Sequence, residues 1–191
     1  MSAATFCTKV TLIALLAVAS INSMECHSFA RTLLPEDKGL KTEKLTHIRF
    51  YFHDTITGAN VTSIEVAEAP TTNSSKTSFG LVNVADEPMT EGPSLSSKLV
   101  GRAQGIFASA SQEEVAFLMV FNYVFLEGEY NGSTLSVYGR NPIFNEVREM
   151  PVIGGTGVFR FARGYAQART YFFNLTSNNA IVKYDVYVLH Y

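Results

Sequence analysis

The chain has 191 residues, of which 47% are hydrophobic and 17% charged, and a formal net charge of -2. This composition supports one domain with a real core and excludes disorder over most of the length. The charge leaves no footprint for nucleic acid, and neither the scattered histidines (His27, His47, His53, His190) nor Cys7 and Cys26 show zinc-site spacing.

Residues 1–19 read as a signal peptide. Lys9 supplies a positive n-region, Val10 to Ala19 is an apolar run, and Ala17-Val18-Ala19 fits small-residue cleavage before Ser20, with a boundary anywhere in 19–30. The run is far short of the roughly 20 apolar residues that span a bilayer, so no membrane partner is expected. Cleavage removes Cys7 and leaves at most Cys26, which excludes an intrachain disulfide in the mature chain. N-x-S/T sequons at Asn60, Asn73, Asn131 and Asn174 fit a secreted glycoprotein.

Residues 20–44 mix charge, Pro35 and Gly39 without a period and read as a flexible arm before a single domain over 45–191. Leu45 to Thr55 alternates as a strand, with Ile48, Phe50, Phe52 and Asp54 on one face. A carboxylate therefore ends an apolar face. Further strands are expected over Thr62–Ala69, Phe79–Ala85, Leu99–Ala110, Val115–Leu126, Ser133–Tyr138, Phe144–Met150, Val158–Phe173 and Ala180–Tyr191. Asp86 to Ser97, with Pro88, Gly92 and Pro93, reads as a long loop of the kind that shapes a binding site. Val115–Leu126 is apolar on both faces, which implies burial on both. Asn131-Gly132 marks a hairpin. All six prolines fall outside the interiors of these strands.

Between the last two hairpins lies Pro151-Val152-Ile153-Gly154-Gly155-Thr156-Gly157-Val158-Phe159-Arg160-Phe161-Ala162-Arg163-Gly164-Tyr165-Ala166. Its glycines suggest a turn or bulge feeding an alternating strand. A dinucleotide fingerprint would need glycine where Arg160 stands, and no Gly-Lys-Ser/Thr follows, so a structural turn feeding a strand is the preferred reading over nucleotide binding. About eight strands without a convincing amphipathic helix indicate an all-β fold; a sandwich and a closed barrel both fit.

The Gly154-Gly155-Thr156-Gly157-x-Phe159 run with Arg163-Gly164 resembles the signature of the plant dirigent family. So do Phe52-His53-Asp54, Leu99-Val100-Gly101-Arg102-Ala103-Gln104-Gly105 and Glu129-Tyr130-Asn131-Gly132-Ser133-Thr134-Leu135, in the same order. The resemblance runs from about Leu45 to Tyr191. It implies an eight-stranded antiparallel β-barrel that assembles as a homotrimer, a dimer being the other option, and acts in the apoplast or cell wall.

An eight-stranded barrel can hold one small ligand. The candidate catalytic groups are Asp54 and Arg163, placed to pair with each other or to hold a ligand oxygen, or else standing at the rim in water. Tyr51, Phe52, Tyr123, Phe161 and Tyr165 are the candidate ligand-binding aromatics. No nucleophile elbow, metal site or redox-cofactor motif is visible, so no cofactor is expected. The resemblance implies a protein that imparts stereoselectivity on the coupling of phenoxy radicals supplied by a separate laccase or peroxidase. The family's two pocket acids match Asp54 and the residue after Gly154-Gly155-Thr156-Gly157. In lignan-forming members the second is Asp; here it is Val158. That departure resembles the branch with pterocarpan-forming and terpenoid-coupling members, and implies as an alternative a cyclase or dehydratase closing a ring through a quinone methide. A barrel that only binds a small phenolic is the third reading.

Overall fold

The structure, a computed structural model, describes residues 30, 32–40 and 42–191. The signal segment, Cys7 and Cys26 lie outside the described residues. The chain divides into two compact units, Met1–Gly39 and Leu40–Tyr191. In the first, Pro35–Lys38 forms a single 3-10 turn ended by Gly39 in the left-handed region.

The second unit is all-β. Its strands are β1 (Lys44–Asp54), β2 (Ser63–Ala67), β3 (Val82–Thr90), β4 (Leu99–Ser109), β5 (Ala116–Phe125), β6 (Thr134–Pro142), β7 (Arg148–Thr156), β8 (Arg163–Phe173) and β9 (Ala180–His190). Neighbours run β1-β9-β8-β7-β6-β5-β4-β3, all antiparallel. Strand β3 then pairs with β1 through Tyr51–Thr90 and Phe52–Met89, which closes an eight-stranded barrel. Strand β2 is an extra member on the flank of β3. Of the two all-β architectures the barrel is the one formed, and closure leaves no free edge among its eight strands.

Side chains from alternate positions fill the barrel in layers. At the closed end Phe125, Tyr130, Phe159 and His190 pack together, with ring centroids 5.0–5.4 Å apart around Phe159. Above them Phe50 meets Tyr123 edge-on at 5.1 Å and stacks on Tyr184 at 5.4 Å. The glycine-rich run makes the lower layer possible. A Cβ at Gly155 would lie 2.5 Å from Thr134 O and 2.7 Å from Phe159 Cβ, and Gly157 sits at φ 62 against Ser133. Bare backbone lets the 3-10 turn Gly157–Phe159 fold Phe159 inward to complete burial.

Three expectations are corrected. Strand β3 runs through Asp86-Glu87-Pro88 to Thr90, so the following loop is shorter than expected. Pro88 sits where β3 leaves β2, last paired at Ala85, and joins β1 at Met89, so its missing N–H breaks no ladder on that side. Pro151 likewise falls inside β7, just past Val152, the last residue paired with β6. The seventh strand covers Arg148–Thr156 rather than Phe144–Met150, so Gly154 and Gly155 lie within a strand.

The outer wall has two characters. Across β2 to β6 one cross-strand row is Ile64–Val84–Ile106–Val120–Tyr138, every member exposed. The double apolar face of β5 is therefore real, with only the inner half buried within one chain. On the opposite side, around β9, Asp185 accepts from Arg49 Nε at 2.7 Å and pairs with His47 Nε2 at 2.8 Å, with Lys183 at 3.4 Å. Burial raises the Asp185 carboxyl, but the bonds to Arg49 and His47 outweigh it and hold it below the usual range. This is a satisfied surface cluster.

Candidate functional site

The end of the barrel away from Phe159 holds a cavity of about 810 Å³, a volume that suits a single drug-sized molecule. Phe52, Phe107, Phe117, Phe173 and Tyr184 give it an aromatic wall. Exposed Phe144, Asn145 and Glu146 stand at its mouth. The turn after β1 is pinned to the β8–β9 turn, since Asn179 Oδ1 accepts from the backbone N–H of Ile56 and Thr57 at 2.9 and 3.1 Å.

Asp54 lines this cavity, carried there by the inward face of β1. Beside it stands Glu87, which the sequence reading placed in a loop. The β1–β3 register pairs Phe52 with Met89, and one inward step further brings Asp54 level with Glu87. Glu87 is 0% exposed. Both Glu87 oxygens and Asp54 Oδ1 are buried, and apart from each other the two carboxyls leave these atoms without a hydrogen-bond partner. Burial pushes the Asp54 carboxyl up to about 6, partly opposed by Glu87. Burial also pushes Glu87 well above the usual range, and the negative charges of Asp54 and Asp86 add to it. A carboxyl pair in an apolar chamber cannot readily carry two charges. Glu87 therefore holds its proton, and Asp54 titrates where an acid catalyst is useful.

Arg148 lies across the chamber. Strands β7 and β3 are separated by three strands in either direction around the ring, so Arg148 faces the Asp54–Glu87 wall. Only 2% of Arg148 is exposed. Its Nε donates to Asn141 Oδ1 at 3.1 Å, and its Nη1 to Thr170 Oγ1 at 2.9 Å and Asn145 O at 3.5 Å. Nη2 makes none of these bonds. Tyr184 lies within electrostatic reach of Arg148, Glu87 and Asp54, and burial pushes its phenol up to about 12, so it stays neutral.

The remaining candidates fall elsewhere. Tyr123 is buried beneath the cavity, 5.7 Å from Tyr184, and burial holds its phenol well above the usual range. Tyr51 is on the outer face of β1, edge-on to Tyr171. Tyr165 is also outside, stacked on Tyr187 at 5.1 Å, and Phe161 is exposed at φ 64. Arg163 points outward and binds Glu43 through Nη1 and, at 2.9 Å, through Nη2. It does not reach Asp54. The physical reason is that β8 turns its Ala166 and Ala168 inward, as does Ala162 just before it, because the interior is already filled by rings from β1, β5 and β9. Phe161 in the left-handed region also interrupts the alternation from Phe159 to Arg163. Val158 sits at the closed end, its N–H on Ser133 Oγ at 3.1 Å, far from Asp54. The second cavity acid is thus Glu87. Asn60, Asn73, Asn131 and Asn174 are all exposed. No group of three His, Cys, Asp or Glu among the described residues is placed to hold a metal ion.

The family profile described as "Dirigent-like protein" matches residues 45–189. "Dirigent protein 21" of Arabidopsis thaliana is 53% identical over 178 residues, 93% of each chain. "Pterocarpan synthase 1" of Glycine max is 46% identical over 184 residues, 96% of this chain and 99% of the relative. Among solved structures, a pterocarpan synthase dirigent protein superposes with a TM-score of 0.75 at 51% identity, covering 79% of this chain and 87% of that one.

Proposed function

Because the chain belongs to the dirigent family, we propose that its cavity is the chamber of a cyclase that removes water from a hydroxylated phenolic and closes a ring through a quinone methide. The observation that carries this reading is the buried Asp54–Glu87 pair in an aromatic-walled cavity. It is supported by relatives and a solved neighbour named as pterocarpan synthases.

The steps balance without an oxidant. Protonated Asp54 gives its proton to a benzylic hydroxyl, the C–O bond breaks, and water leaves. The para-related phenol loses its proton, and the ring becomes a quinone methide. A second hydroxyl of the same molecule adds to the benzylic carbon and returns its proton to Asp54. The quinone-methide oxygen regains a proton as the ring becomes aromatic again. The net change is loss of one water, with no change in oxidation state. Glu87, held protonated, keeps a second negative charge away from Asp54 while the quinone methide forms and is quenched.

A second reading is stereo-directing coupling of phenoxy radicals, favoured by the aromatic wall of Phe52, Phe107, Phe117, Phe173 and Tyr184, on which planar rings can stack. One experiment separates the two. The protein is incubated with a benzylic-hydroxylated isoflavan without oxidant, and with coniferyl alcohol with and without a laccase. Cyclisation of the isoflavan without oxidant is the expected result. No cyclisation, together with enantiomeric excess in the laccase arm, moves the function to radical direction.

The same proposal includes export to the cell wall, glycans on some of the four sequons, and a homotrimer that covers the Ile64–Tyr138 row. A closed symmetric assembly is the ordinary way to bury such a strip. Native mass spectrometry of protein recovered from cell wall fluid reads all three. The expected species is a glycosylated trimer lacking the first 19 to 30 residues. An unprocessed, unglycosylated monomer would overturn export and assembly together.

A further inference from the structure

Outside the acid pair, one buried side-chain oxygen among the described residues has no hydrogen-bond partner, Asn83 Oδ1. Asn83 is 4% exposed and lines the cavity. It stands on the inward face of β3, in series with Ala85 and Glu87. Phe107, its pair partner on β4, lies on one side of it. Ser63 of β2 lies on the other, and its Oγ accepts from Asn83 Nδ2 at 3.5 Å. The amide is thus held by its nitrogen, and the oxygen is the atom left for the chamber. A buried amide oxygen without a donor destabilises the fold. Leucine, of similar size, would carry no such cost at this position. Ala85, between Asn83 and Glu87, has a small side chain and leaves room for a ring between two polar ends.

We propose that Asn83 selects the substrate by accepting a hydrogen bond from a hydroxyl on the ring that does not react. This rests on the cyclase reading above and extends it by naming the substrate class. Asn83 and Glu87 are four residues apart on one strand, which places them about 13 Å apart at roughly 3.3 Å per residue. Asp54 is level with Glu87. A hydrogen bond of about 2.8 Å at each end leaves roughly 7–8 Å between the leaving hydroxyl and the remote one. That is the reach from a benzylic oxygen across an attached aryl ring to a hydroxyl on its far side. The character of the acceptor decides which hydroxyl it takes. Oδ1 bears partial negative charge and has no proton to give. It would repel the reacting phenol as that phenol becomes a phenolate, so it suits a hydroxyl that keeps its proton throughout. A methyl ether offers no proton and sets one acceptor oxygen against another. The substrate class is therefore a benzylic-hydroxylated phenolic of two linked aryl units, whose second ring carries a free hydroxyl rather than a methoxy group.

The test uses three isoflavans that share the benzylic hydroxyl, the reacting phenol and the ring-closing hydroxyl. They differ only at the far position of the second ring, which bears hydroxyl, methoxy or hydrogen. Each is given without oxidant to wild type, Asn83→Leu and Asn83→Ala. The expected result in wild type is a kcat/KM about 10–100-fold higher for the free hydroxyl than for either analogue, the usual loss when a buried acceptor is left without its donor. In Asn83→Leu the three values converge, chiefly through a fall for the hydroxyl compound, and the melting temperature is kept or raised. Wild type that turns over the hydroxyl and hydrogen compounds equally overturns the assignment, as does a folded variant that keeps the preference. So does a lowered melting temperature with equal losses for all three compounds, the pattern of an Asn83 that only ties β3 to Ser63. Should Asn83→Leu not fold, Asn83→Ala and the wild-type comparison decide. Failure of the cyclase reading looks different: no compound is dehydrated, yet calorimetry still shows the free hydroxyl bound more tightly by wild type and not by Asn83→Leu.

Discussion

Asp54→Asn is expected to lower cyclisation by about 10²–10⁴-fold, the usual loss when a positioned acid is removed, while the protein stays folded. Asparagine keeps the size of the side chain but cannot give up a proton. Glu87→Gln is the informative companion. Glu87 is protonated and neutral in the folded state, so glutamine replaces one neutral group with another, and activity falls far less than in Asp54→Asn. Single-turnover rates of both variants measure this. Equal losses would show that the proton is shared by the pair rather than delivered by Asp54.

The same residue sets a pH dependence. Unfolded Asp54 ionises near the ordinary carboxylate value of about 4, whereas the folded protein keeps it protonated up to about 6. The folded state therefore binds the extra proton between those values. Its contribution to stability is complete below about pH 4 and is lost as pH rises through about 6. Glu87 acts in the same direction at higher pH. Cyclisation falls over the same interval as Asp54 ionises. In Asp54→Asn the part of the stability decline centred near 6 is absent, and an unchanged pH profile of the urea midpoint would show that another group titrates there.

Much of the frame was legible because alternation is strict. The inward series Ile48, Phe50, Phe52, Asp54 reads directly as one face of a strand, and an acid at its end is conspicuous. Glu87 was hidden by its neighbours. Asp86 and Pro88 look like loop residues, and only the change of partner strand explains why proline is tolerated there. Arg148 was obscured by the polar segment before it, although Arg148, Met150 and Val152 alternate and share one face. Arg163 faces outward, against the sequence expectation, for a physical reason. A row of bulky aromatics beside a row of alanines suggests that the aromatics are the core. In a barrel whose interior is filled from other strands, the small residues face in and the bulky ones face out.

Phe159→Ala is expected to cost about 3–5 kcal/mol, as for other large-to-small changes at fully buried aromatics. For a domain of this size that lowers the melting temperature on the order of 10 °C. Phe159 is completely buried and touches three rings, those of Phe125, Tyr130 and His190. Its removal leaves a hole at the closed end, and the surrounding strands cannot collapse into it because they are fixed in a closed ring. Gly155→Ala tests the same joint from the backbone side, since its new methyl would fall among Thr134 O, Phe159 Cβ and Phe159 O. Both changes lie at the far end from Asp54, Glu87 and Arg148. Below its melting temperature, Phe159→Ala therefore keeps its single-turnover rate. A variant that melts normally would show that the closed end carries little of the barrel's stability. One that melts early and also loses cyclisation while still folded would show that the two ends are coupled through the Phe50–Tyr123–Tyr184 layer.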